Sequence, residues 1–143
     1  MNKGAIDLIK KFEGCSLEAY LCPAKVWTIG YGHTSGVKKG DKITQAQALD
    51  YLVKDLDIFE SGVIRLTSGL GFNQNQLGAL ISFAFNLGLG ALGSSTLLKL
   101  LKQGKVAEAS KEFAKWNKAG GAVSNGLIRR RAAETELFNK PVK

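Results

Sequence analysis

Residues 20–34 read Tyr20-Leu21-Cys22-Pro23-Ala24-Lys25-Val26-Trp27-Thr28-Ile29-Gly30-Tyr31-Gly32-His33-Thr34, and they decide the fold. Val26, Trp27, Thr28, Ile29 and Tyr31 fall between Pro23 and the Gly30/Gly32 pair, which predicts strands joined by tight turns. It is the one convincing β region, and both flanks are helical in pattern. Upstream, Ala5, Leu8, Ile9 and Phe12 recur at i, i+3, i+4 and i+7, an amphipathic helix that should end near Glu13-Gly14.

Downstream, Thr44-x-x-Gln47 is a capping box, followed by Leu49, Leu52, Val53, Leu56 and Phe59 at helical spacing. Residues 67–71, rich in glycine, break this long connecting helix. Asn73-x-x-Gln76 then opens a helix whose Leu77, Leu80, Ile81, Ala84 and Phe85 form a nearly complete apolar band, as a buried central helix requires. Ser94-Ser95 should cap a short helix through Leu101, with further helices over 106–116 and 127–138. The expected architecture is α+β and mostly helical: one domain over 1–143, with a β lobe over about 15–43 and a connecting helix over about 44–60. A helical lobe over about 70–143 recaptures the helix at 2–13.

A chain of 143 residues, 45% hydrophobic with only two prolines, suits one ordered domain with a substantial core. No apolar run approaches the ~20 residues that span a bilayer, and the N-terminus has no hydrophobic signal core, so synthesis in a cytosol is expected. Twenty Lys and Arg against twelve Asp and Glu give a charge of +8, which draws the molecule toward polyanions. Nucleic acid, anionic lipid and bacterial wall all qualify. The block Arg129-Arg130-Arg131 is either part of such a surface or a solvated helix face. Two cysteines without a CxxC pair, and a single histidine, argue against a structural zinc site.

Glu13 is the first candidate for chemistry, because it ends an apolar helix, adjoins a glycine and leads into the strands, where a cleft between lobes would open. Cys22 and Thr28 join it through hairpin geometry. If Pro23-Ala24-Lys25 forms a three-residue turn, Cys22 pairs with Val26, and Thr28 falls on the same face. A two- or four-residue turn would part them.

Glu13-Gly14, Ala19-Tyr20 and the run from Trp27 to Thr34 resemble the phage lysozyme family of endolysins, glycoside hydrolase family 24. The similarity continues in order through Gln74-x-Gln76, Ser82-Phe83-x-Phe85-Asn86-x-Gly88, Ser95-Thr96-Leu97-Leu98, Glu112-Phe113-x-x-Trp116 and Gly126-Leu127-x-x-Arg130-Arg131-x-x-Glu134. The resemblance implies a two-lobed lysozyme-like fold. It also implies hydrolysis of the β-1,4 bond between N-acetylmuramic acid and N-acetylglucosamine in peptidoglycan, and lysis of the host cell. The family pattern of Glu, eight residues, Asp or in some members Cys, five residues and Thr falls on Glu13, Cys22 and Thr28. Cys22 thus stands where the commoner residue is Asp.

By the same resemblance, Arg130 should reach back to Glu13. Tyr20, Gly32, His33, Phe85 and Asn86 are candidates for the sugar-binding walls, although His33 alone reads as a structural hydrogen-bonding residue and Phe85 equally as core. No cofactor or metal is expected. The expected partner of a monomeric chain is bacterial peptidoglycan, without nucleic acid or stable membrane insertion, reached from the host cytoplasm through a membrane pore. Two alternatives stay open: a basic nucleic-acid-binding domain and a wall-binding domain that has lost catalysis.

Overall fold

The computed structural model describes residues 2–22, 25–119 and 121–141. Helix α1 (Lys3–Glu13) leads into an antiparallel hairpin of β1 (Ser16–Leu21) and β2 (Trp27–Gly30). Helix α2 (Gln45–Leu66) then runs to the helical lobe of α3 (Gln74–Leu87), α4 (Leu89–Gly93), α5 (Thr96–Lys102), α6 (Val106–Ser110) and α7 (Asn125–Asn139). The anticipated capping box at Thr44 closes and Asn73 forms a second: the Thr44 and Asn73 side chains accept from the backbone N–H of Gln47 and Gln76, whose side chains accept in return.

Helix α3 is the axis of the molecule. Every residue from Gly78 to Ala84 is buried, because α1, α2 and α7 all pack against it. Phe83 sits in an aromatic nest, edge-on to Phe113 at 5.7 Å and to Trp116 at 5.4 Å. That nest explains a departure from the sequence expectation of one helix over 106–116. The helix stops at Ser110, and a 3-10 turn at Phe113–Lys115 swings Phe113 fully into the core.

Two other differences are informative. Helix α2 continues to Leu66, six residues beyond the expected end, because Val63 and Leu66 prolong its apolar stripe onto the core. The hairpin at 20–34 is also not alone: β3 (Lys118–Ala119) pairs with β4 (Ala122–Val123), a two-residue ladder too short to show any alternation.

The β lobe is fastened to α2 by three side-chain contacts. His33 Nδ1 lies 2.8 Å from Asp55 Oδ2, the His33 ring stacks on Tyr51 at 4.4 Å, and Gln45 Nε2 donates to the Tyr31 hydroxyl at 2.7 Å. Helix α1 is fastened to α3 by Asn2. Its Oδ1 caps α1 by accepting from Ala5 N at 2.9 Å, while its Nδ2 donates to the Gln74 carbonyl at 2.9 Å. Gly78 makes this close approach possible, since a Cβ there would lie 2.6 Å from Asn2 Oδ1 and 3.3 Å from Ala5 N.

Gly78→Ala sets a helix-propensity gain of up to ~1 kcal/mol against an overpacking cost of ~1–3 kcal/mol that falls on the α1 backbone. With the full propensity gain, urea unfolding should show a net loss of up to about 2 kcal/mol. Gly90 is the control: nothing lies within 4 Å of a Cβ there, so Gly90→Ala should be neutral or stabilising.

Candidate active site

Glu13 is the last residue of α1. Gly14 follows at φ 68°, a left-handed turn that carries the chain away and leaves the carboxylate at the mouth of a cavity of about 740 Å³. Asn86, Leu127, Arg129 and Arg130 are among the residues that line it. Arg130 Nη1 donates to Glu13 Oε2 at 2.6 Å, the contact expected from the sequence. The other oxygen, Oε1, faces Gly32, where a Cβ would lie 3.6 Å from it and 3.7 Å from the Phe85 ring. At φ 88° Gly32 also occupies a conformation that L side chains rarely adopt. Room beside the carboxylate and the shape of the loop therefore depend on the same missing side chain.

The hairpin has the register of the three-residue turn. Cys22 N donates to the Val26 carbonyl at 3.0 Å and Lys25 N to the Cys22 carbonyl at 2.8 Å, with Tyr20 opposite Thr28 one step further in. Pro23 and Ala24 themselves lie outside the described residues. Lys25, at φ 62°, supplies the left-handed third position that such turns use. Tyr20, Cys22 and Thr28 thus share one face of the hairpin. The same grouping shows in the Tyr20 phenol, which burial, and after it the charges of Glu13 and Cys22, push above its ordinary value of 10.0. Thr28 is 5% exposed and donates its hydroxyl proton to the Val26 carbonyl at 3.0 Å, so its oxygen remains as an acceptor.

Behind Glu13 lies a buried ionic cluster. Glu134 takes Ser82 Oγ at 2.6 Å, Arg131 Nη2 at 3.1 Å and Arg130 Nε at 3.4 Å, all on Oε2. Arg131 Nε approaches Glu134 Oε1 at 2.8 Å without hydrogen-bond alignment, and the guanidinium lies over the Phe83 ring at 5.1 Å. Arg131 Nη2 also donates to Asn86 Oδ1 at 2.9 Å. Burial pushes the Glu134 carboxyl up and the Arg131 guanidinium down, each opposed first by the other's charge. All three hydrogen-bond donors thus meet Glu134 on one oxygen, Oε2.

Two sequence expectations need revision. Arg130 and Arg131 are 3% and 0% exposed, so of the run at 129–131 only Arg129 is left to a polyanion-binding surface or a solvated helix face. His33 lines a hollow of about 190 Å³ with Ser35, Gln47 and Tyr51, separate from the cavity that Glu13 lines, and Asp55 and Tyr51 hold its ring against α2. Its reading as a structural hydrogen-bonding residue fits this placement.

The chain matches the family model described as phage lysozyme over residues 10–134. It is 47% identical to an endolysin of Bacillus phage PZA over 97% of its own length and 55% of that protein's. It is 44% identical to an endolysin of Acyrthosiphon pisum secondary endosymbiont phage 1, over 96% and 95% respectively. The chain therefore spans about half the length of the Bacillus phage protein. Among solved structures, the muramidase domain of SpmX from Asticaccaulis excentricus superposes with a TM-score of 0.90 at 38% identity, covering 97% of each chain.

Ser82, Arg131 and Glu134 were not singled out for the site from sequence. The available signal was the spacing Arg130-Arg131-x-x-Glu134, which sets one carboxylate a helical turn from both arginines. A spectrophotometric titration should find the Tyr20 phenol ionising above pH 10, with Glu13→Gln lowering its midpoint and burial keeping part of the shift. Since the folded value is the raised one, its contribution to stability is complete below pH 10 and disappears as pH climbs through the folded value.

Proposed function

This chain belongs to the phage lysozyme family, and from that premise we propose that it is an endolysin, hydrolysing the β-1,4 bond between N-acetylmuramic acid and N-acetylglucosamine in bacterial peptidoglycan. The observation that carries the reading is Glu13, held by Arg130 at 2.6 Å at the mouth of the large cavity. Arg130 engages one carboxyl oxygen and leaves Oε1, on the Gly32 side, to carry a proton to the leaving glycosidic oxygen. Thr28, whose oxygen is left as an acceptor, and Cys22 hold the attacking water on the far face of the sugar ring, with inversion at the anomeric carbon. Phe85 and Asn86 form the opposite wall, the ring for apolar stacking and the amide for hydrogen bonding. Tyr20 and Gly32 line the floor.

The proposed route follows from the same reading: synthesis in a host cytoplasm, then access to the wall through a membrane pore. Among the described residues no helix is long and apolar enough to cross a membrane. Of the two supports of the nucleic-acid alternative, the charge of +8 and the arginine run, the second is weakened by the burial of Arg130 and Arg131. Clearing of purified peptidoglycan is the test. Wild type should clear it and folded Glu13→Gln should not, whereas full activity in Glu13→Gln would remove the general acid from the scheme.

Cys22 carries a second expectation. If the position accepts a proton or supplies negative charge, Cys22→Asp keeps activity, Cys22→Ala loses at least ~10-fold, and thiol alkylation inactivates wild type but not Cys22→Asp. Cys15, exposed at the lobe boundary, is the control: Cys15→Ser should change neither activity nor alkylation sensitivity.

A further inference from the structure

We propose that Arg131 is a positioning residue for substrate recognition: it takes the oxygen of the Asn86 amide and so turns the amide NH2 into the cleft, as a donor for the acetamido carbonyl of the glycan. The inference rests on the reading of the cavity as a glycan cleft and assigns a polarity within it. A guanidinium can only donate, so the Asn86 group 2.9 Å from Arg131 Nη2 must be its oxygen. The nitrogen then occupies the other arm of the planar amide. Asn86 lines the same cavity as Glu13, and among the described residues its Nδ2 donates to no protein group.

Arg131 cannot adapt to the opposite amide orientation. It is 0% exposed, clamped by both oxygens of Glu134 and laid over the face of Phe83, while Glu134 is itself tied to Ser82 on α3. The amide polarity is thus set by packed core rather than by solvent. A fixed pair of N–H donors discriminates little among sugar hydroxyls, which both donate and accept. It favours a group that only accepts, and on an N-acetylated glycan the carbonyl of the acetamido substituent is such a group.

Asn86→Asp separates recognition from structure. One carboxylate oxygen still accepts from Arg131, so the fold is retained, while the other replaces a donor with a charged acceptor. On purified N-acetylated peptidoglycan we expect the half-saturating concentration to rise about tenfold with the maximal rate within about threefold of wild type. On chemically de-N-acetylated peptidoglycan, whose ammonium groups suit a carboxylate, wild type should weaken and Asn86→Asp should lose its disadvantage. Wild-type half-saturation by Asn86→Asp on the acetylated wall overturns the inference, as does an undiminished handicap on the de-N-acetylated wall, which would point to another carbonyl such as that of the stem peptide.

Arg131→Lys, measured alone and with Asn86→Ala, tests the route through Asn86. Its effect on half-saturation should vanish in the Asn86→Ala background, and full additivity overturns the positioning role. If Arg131→Lys does not fold, Asn86→Gln decides the same question, since a longer amide that meets Arg131 no longer places its nitrogen at the same point, and wild-type half-saturation there overturns the role. Absence of clearing by wild type would instead refute the hydrolase reading itself.

Discussion

A buried ionisable group needs partners of its own, and Glu134, cut off from water, fixes two arginines at once, both of which donate to its Oε2. Desolvation weighs on both partners, so the cluster is a poor source of stability compared with well-packed apolar residues. Its effect is geometric. Arg130 is directed to Glu13, Arg131 to Asn86, and the Ser82 hydroxyl registers the group against α3. Two residues of the cleft wall, from different helices, are therefore referred to one buried point.

The rest of the fold keeps those helices at the separation the cluster needs. Gly78 and Asn2 let α1 lie close against α3, and the nest of Phe83, Phe113 and Trp116 supports the face of α3 from below. On the other side of the cleft, the hairpin is anchored through His33, Tyr51 and Asp55 to α2, so its position depends on a helix that also packs on α3. The β lobe and Glu13 thus share a common support even though α1 ends before the first strand begins.

Much of this was legible from the residues because it is local. Capping boxes depend on four consecutive positions, and the hairpin register on the length of one turn. Glu13 was visible as a carboxylate where an apolar helix meets glycine. Arg131 and Glu134 were not, since an i, i+3 pair of opposite charges looks the same whether a helix face meets water or another helix. Only the packing of α3 against α7 makes it a buried pair. The early end of α6 was hidden for a related reason: apolar residues continue at helical spacing, but Phe113 reaches its nest only if the backbone tightens into a 3-10 turn.

Helix α1 leads the chain, yet its carboxylate acquires its arginine from α7, across 117 positions of sequence. A ribosome releases Glu13 long before Arg130. Until α7 has been made, Glu13 exists without Arg130, Asn86 without Arg131, and α3 without the helix that buries Ser82. The arrangement therefore waits on α7. A translation product that stops before α7 would carry the whole hairpin and its motif but neither of the guanidinium groups that meet Glu13 and Asn86.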